Sequence, residues 1–155
     1  MPEKGATAAP PDEGWTGPRF RRPADDEVRR AARRLVRGSK AAFSSQAEFR
    51  SALIASLRRD EPLATVGGLR MRRLLVQLPG VRLTVRYRER AAAPPLTACP
   101  VCGAPLKAIR NRTLGGDSIV LGQQCTRCSY WTHRARRVPV RYLISSAGID
   151  GRPLR

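Results

Sequence analysis

Cys99-Pro100-Val101-Cys102 and Cys125-Thr126-Arg127-Cys128 are two C-x2-C pairs separated by 22 residues, and they constrain this chain more than any other feature. Two residues between thiolates let one tight turn aim both sulfurs at a single ion. Two such turns supply four tetrahedral ligands, the closed set of a structural zinc site with Zn–S of about 2.3 Å. Gly103 suits the first turn, because amides approaching a sulfur closely favour a residue without Cβ. A full set of thiolates leaves no position open for water, which speaks against catalytic zinc. Iron suits four thiolates as well as zinc does. A redox pair would need a thioredoxin-like strand–helix setting, and neither pair opens a helix. With four thiolates in place, His133 reads as a surface or nucleic-acid-facing residue rather than a ligand.

The spacer between the pairs reads as β-structure. Leu106 to Thr113 forms one strand, Leu114-Gly115-Gly116-Asp117 a turn, and Ser118 to Gln124 the returning strand. Beyond the second pair, Val138, Val140, Tyr142 and Ile144 alternate with Pro139, Arg141 and Leu143, which predicts a final strand. That strand either completes the cysteine module or pairs with residues 81–88 and joins the two halves of the chain. On these residues the segment 97–144 resembles a zinc ribbon, the small β module common in transcription and translation proteins. The resemblance implies one structural Zn2+ held by Cys99, Cys102, Cys125 and Cys128.

The N-terminal half is helical in pattern. Val28, Ala31, Ala32, Leu35 and Val36 form one apolar stripe, with Asp25, Asp26 and Glu27 at the positive helix start and Gly38 at its end. Ser45-Gln46-Ala47-Glu48 fits a capping box, in which Ser45 and Glu48 satisfy orphan N–H groups reciprocally. Phe49, Leu53 and Leu57 follow on a second helix limited by Pro62. A third helix is expected from about Val66 to Leu78, burying Met71, Leu74, Leu75 and Leu78, with Gly67 and Gly68 weakening its first turn. Then Val81, Leu83, Val85 and Tyr87 alternate with Arg82, Thr84, Arg86 and Arg88, a half-buried strand with a basic outer face. Three short helices and a strand over residues 25–90 resemble a winged helix-turn-helix in outline, without a specific motif or a clear second wing strand. The expected fold is therefore α+β: a flexible tail (1–23), a three-helix winged helix-turn-helix-like domain (25–90), a linker (91–96), a β zinc ribbon (97–144) and a C-terminal tail (145–155).

Charge points to the partner. The 155 residues carry 30 Lys plus Arg against 12 Asp plus Glu, for a net charge of +18. A GC-rich genome accounts for Arg outnumbering Lys 27 to 3, but not for the shortage of acids. Residues 1–61 are net +4, whereas residues 62–155 hold 17 bases and three acids, net +14. Such a field concentrates polyanions, so nucleic acid is the expected partner, bound through phosphate contacts. Arg70, Arg73 and Gln77 share one side of the third helix, with Arg72 projecting elsewhere towards phosphate. Arg and Gln can read guanine and adenine edges. Arg110 and Arg112 in the spacer and Arg134, Arg136 and Arg137 after the second pair complete the candidate contacts. Tyr130 or Trp131 would either stack on bases or pack over the small β core, and packing is favoured, particularly for Trp131.

The resulting expectation is a DNA-binding, transcription-related or chromatin-associated factor. The alternative is an RNA-binding, ribosome- or polymerase-associated protein whose partners include the transcription or translation machinery. No Gly-rich phosphate loop, paired carboxylates or Ser/His/Asp arrangement argues for an enzyme or a small-molecule substrate. No run of 18 apolar residues and no basic helix with bulky apolar anchors argues for a membrane. Met1 to Asp12 lacks the basic start and apolar core of a secretory signal, so a cytoplasmic, nucleoid- or ribosome-associated protein with reduced cysteines is expected.

Overall fold

Helix α1 (Asp25–Gly38) forms where the apolar stripe lies, and Val28, Ala31, Ala32 and Val36 are all buried. Three acids occupy its first turn, and the Glu27 carboxylate accepts the orphan N–H of Ala24 at 2.8 Å. Helix α2 (Gln46–Leu57) starts at Ser45, whose hydroxyl accepts the N–H of Glu48 at 3.1 Å. The reciprocal half of this cap departs from the expected box. The Glu48 carboxylate accepts from the N–H and hydroxyl of Ser44, at 2.9 and 2.8 Å, rather than from Ser45. Those bonds hold the Glu48 carboxyl below its ordinary range.

Helix α3 (Gly68–Leu75) is shorter than the periodicity suggests. Gly67 stays extended at its start, where two successive glycines make helix expensive. Leu78 reaches the core through a tight turn closed by its own N–H on the carbonyl of Leu75, at 3.1 Å.

The described residues, 19–91 and 94–147 of a computed structural model, form a mixed α+β chain with two small antiparallel sheets. Strand β1 (Val81–Arg90) alternates half-buried and exposed residues, as its sequence demands. Strands β2 (Leu106–Arg112), β3 (Ser118–Cys125) and β4 (Trp131–Thr132) make the three-stranded sheet, in that order. The final strand, β5 (Arg136–Ser146), pairs with β1 and not with the cysteine module's sheet. Val81 stands opposite Ser146 and Arg90 opposite Arg136, with a register shift between Arg86 and Tyr87. The cysteine-bearing segment is thus inserted between two paired strands.

This pairing has a consequence for the core. One apolar cluster joins the three helices to Ile144, with Val81 and Leu83 packed against it. A second gathers the cysteine turns and Tyr130, with Leu83, Val85, Tyr87 and Tyr142 against it. Leu83 borders both, so the inward face of the β1–β5 sheet is the wall that the helices and the cysteine module share. Residues 1–18, including Trp15 and most of the expected tail, lie outside the described residues, as do 148–155. Arg21, also assigned to that tail, bridges Ala64: its N–H donates to the carbonyl of Leu63 at 2.9 Å and its carbonyl accepts from Thr65 at 3.0 Å. Ser145 and Ser146, assigned to the C-terminal tail, belong to β5. Among the described residues no helix is long and apolar enough to cross a membrane.

Candidate metal centre and its basic surroundings

Each cysteine pair sits on a turn that its own backbone closes. In the first, Gly103 donates to the carbonyl of Cys99 at 2.8 Å and Cys99 donates to Ala104 at 2.9 Å. Gly103 adopts φ of +72°, a conformation that costs a residue with Cβ about 1–2 kcal/mol. In the second, the N–H groups of Arg127 and Cys128 point at the Cys125 sulfur, at 3.3 and 3.4 Å. Cys125 N–H donates to Tyr130 at 2.8 Å, which turns the chain back into β4.

The four sulfurs lie within 4.8 Å of one another, and Cys99, Cys102 and Cys125 are buried. Cys99–Cys128 is 3.6 Å, Cys102–Cys125 is 3.5 Å and Cys102–Cys128 is 3.7 Å. A tetrahedron with metal–sulfur bonds of about 2.3 Å has edges of about 3.8 Å, so this donor set fits one tetrahedral ion. The separations are far longer than a disulfide bond of about 2.05 Å. His133 is exposed and its ring lies 4.6 Å from Trp131, outside this donor set.

Electrostatics inside the cluster are compatible with a bound cation. The Cys99 thiol is drawn down to about 5, chiefly by the hydrogen bond from Cys128. Cys102 is pushed up to about 11, chiefly by burial. Cys128 rises well above its ordinary range because its S–H is held by Cys99. Adjacent sulfurs therefore resist ionising together, and a divalent cation removes that conflict. An ion here would cross-link the two turns, with all four positions taken by protein and no open site for chemistry.

The surrounding arginines divide into those held within the chain and those that face outward. Arg70, with a side chain only 15% exposed, ion-pairs with Asp25 and donates to the carbonyl of Pro23. Its other terminal nitrogen is buried without a hydrogen-bond partner. Arg72 donates to the carbonyl of Val101 at 2.6 Å and to the side-chain oxygen of Gln46, and its guanidinium lies 4.7 Å from the Tyr142 ring. Arg73, an exposed residue, donates to the carbonyl of Cys102 at 3.3 Å. Two of the arginines expected on a groove-reading helix thus clasp the first cysteine turn. Gln77 is exposed beyond the helix end.

After the second pair, Arg134 is exposed and Arg136 donates to the carbonyl of Pro94. Arg137 is sandwiched between the rings of Tyr87 and Trp131, at 4.1 and 4.2 Å. Arg110 and Arg112 are exposed on β2. Trp131 reverses the expected packing. Tyr130 is the buried ring, 1% exposed with its hydroxyl on the carbonyl of Arg137 at 2.8 Å, whereas Trp131 remains 40% exposed. Tyr130 immediately precedes β4, in which Trp131 faces outward and Thr132 is the buried residue.

Gln46 and Tyr142, which complete the setting of Arg72, carried no local signal; Gln46 is 26 residues away in sequence. A scan against protein-family models found no match to the chain, and searches among curated proteins and solved structures found none either.

Proposed function

We propose that this chain is a nucleic-acid-binding protein, specifically a DNA-binding transcription-related or chromatin-associated factor, braced by one structural zinc ion at Cys99, Cys102, Cys125 and Cys128. The helices are read as winged helix-turn-helix-like and the cysteine module as a zinc ribbon. The observation that carries this reading is the imbalance of 17 bases to three acids in residues 62–155, the half that holds the closed thiolate cluster. Rigid turns beside the metal present Arg134 with little freedom left to lose, and Arg110 and Arg112 extend the positive surface along β2. Phosphate contact carries the affinity in this reading. The chain has no role for turnover.

A second reading, an RNA-binding ribosome- or polymerase-associated protein, is favoured by a different feature. Leu114, Ile119, Val120 and Leu121 are all exposed around the β2–β3 hairpin, which suits a protein docking partner. Ultraviolet crosslinking of the endogenous protein, with sequencing of the attached nucleic acid, tests both. Attached DNA supports the first reading. Attached RNA, with ribonuclease releasing the protein from ribosomes, supports the second. Recovery of neither overturns nucleic-acid binding altogether.

A further inference from the structure

Trp131 is left 40% exposed, yet its ring is held in place. The Arg137 guanidinium lies 4.2 Å from that ring, and the backbone of Arg137 is fixed on both sides. Its N–H donates to the Thr132 hydroxyl oxygen at 3.0 Å, and its carbonyl accepts the Tyr130 hydroxyl at 2.8 Å. The exposed His133 sets its own ring 4.6 Å from Trp131, tilted by 61°. His133 also lines a shallow cleft of about 160 Å³ between β3 and residues 94–96. We propose that these two rings and the cleft bind unpaired bases of a single-stranded nucleic acid, with Trp131 as the stacking platform and the exposed Arg134 at the phosphate. The inference rests on the nucleic-acid reading above and gives it a site and a strand state.

Three observations carry it. First, an indole that only completed the core would be covered, as Tyr130 is at 1%. Trp131 instead rests on a cation while much of its surface stays in water. A ring fixed in advance loses little freedom when a base lands on it. Every base has a π-face, so such a platform accepts a strand without regard to sequence. Bases of a single strand can be splayed onto it, whereas those of a duplex are stacked out of reach.

Second, the cleft has the two kinds of wall that a nucleotide needs. Leu96, Val120 and Leu121 give it an apolar side, and His133, Arg134 and Arg136 a polar one with two cations. Arg136 is engaged with the carbonyl of Pro94, so phosphate is assigned to Arg134. Among the described residues no carboxylate lines the cleft. A cavity of about 150 Å³ takes one benzene ring, so the space suits a single flat base. Third, the walls are fixed. The Gln123 amide exchanges two hydrogen bonds of 2.9 Å with the backbone of Leu96. On the other side β4 is braced against β3, with Gln123 opposite Thr132 and Gln124 opposite Trp131.

The test uses the full, metal-loaded chain and labelled oligonucleotides of one mixed sequence: single-stranded DNA, single-stranded RNA and a DNA duplex. Affinity is measured by fluorescence anisotropy across a salt series. Trp131→Ala removes the platform, Trp131→Phe keeps a smaller ring, and Arg134→Gln removes a charge. Metal content and hydrogen exchange matched to wild type establish that the variants are folded. The chain has two tryptophans, so Trp15→Phe leaves Trp131 as the sole indole emitter and reads the site without altering it.

Loss of one stacked base to alanine should weaken single-strand binding about 5- to 150-fold, with Trp131→Phe between Ala and wild type. That factor should hold at every salt concentration, because no phosphate contact is lost with the ring. Arg134→Gln should instead flatten the single-strand salt slope by about 0.7. Trp131 emission should be quenched by a single strand and saturate where the anisotropy does. The tighter single strand identifies the source, DNA or RNA. Wild type that binds a single strand without quenching, or a folded Trp131→Ala that binds as tightly, overturns this inference and leaves the nucleic-acid reading standing. A preference for the duplex overturns it as well, and an unaltered slope in Arg134→Gln overturns the phosphate assignment. Wild type that binds none of the three probes defeats the nucleic-acid reading itself.

Discussion

Arg72→Met should separate helix α3 from the first cysteine turn. The arginine makes two charge-assisted hydrogen bonds, to the carbonyl of Val101 and to Gln46, and lies 4.7 Å from the Tyr142 ring. Hydrogen bonds to a charged group contribute about 1.5–3 kcal/mol each. A cation–π contact at a partly exposed site adds about 0.5–1 kcal/mol. Methionine keeps much of the apolar stem, and some of the freed groups regain water. The expected loss is therefore about 3 kcal/mol. Urea denaturation of the metal-loaded chain, followed by far-UV circular dichroism, measures it. With a urea dependence of about 2 kcal/mol per molar, the midpoint should fall by about 1.5 M. Arg72→Lys should fall between wild type and Met, because a single ammonium keeps the charge but not the fork that reaches two acceptors in different elements. The reasoning is refuted if Arg72→Met lies within about 0.5 kcal/mol of wild type, the range of an ordinary surface change.

Gly122→Ala should be destabilising by about 1–3 kcal/mol. A Cβ there would stand 2.0 Å from the carbonyl oxygen of Thr132, where β3 and β4 cross closely. Unchanged thermal stability would show that the strands separate freely. Asp25 should titrate below its ordinary 3.8, because Arg70 donates to its carboxylate. A depressed folded value means that its contribution is fully present above the unfolded value and disappears as pH falls through the folded one. Carboxyl NMR should show this midpoint returning towards 3.8 in Arg70→Gln; a wild-type midpoint at or above 3.8 would contradict the pairing.

Local chemistry made much of this fold legible. The stripe Val28, Ala31, Ala32 and Val36 is buried as its spacing requires, and the alternation from Val81 to Arg88 is seen directly in β1. The two C-x2-C turns bring their sulfurs together because the turn geometry is fixed within five residues of chain. What the sequence left open was long-range. Pairing of β5 with β1 rather than with β3 depends on which face Leu83 and Ile144 can share, and residues more than fifty positions apart carry no periodic signal for that choice. The roles of Arg70 and Arg72 were hidden for the same reason. A helical wheel shows that they point away from the apolar stripe, but not that Asp25 and the carbonyl of Val101 wait there. Tyr130 and Trp131 exchanged roles because Tyr130 sits on the turn before β4 with its hydroxyl on the carbonyl of Arg137, while β4 turns Trp131 outward and Thr132 inward, and no local pattern in the sequence sets that phase.

The end of α3, the paired strands β1 and β5 and the start of the β2–β3 hairpin all pack around the cysteine cluster, so its occupancy is the most direct measure of how this chain works. Native mass spectrometry of the full chain should find one zinc or iron ion per molecule in wild type and none held tightly in Cys125→Ser. Hydrogen exchange on the same samples should show β2, β3 and β4 losing protection when a chelator strips the metal, because binding free energy at such a site is folding free energy. Acid should release the ion as the thiolates are protonated. A wild-type chain that carries no metal, yet keeps full protection of these strands in chelator, would contradict the structural metal centre.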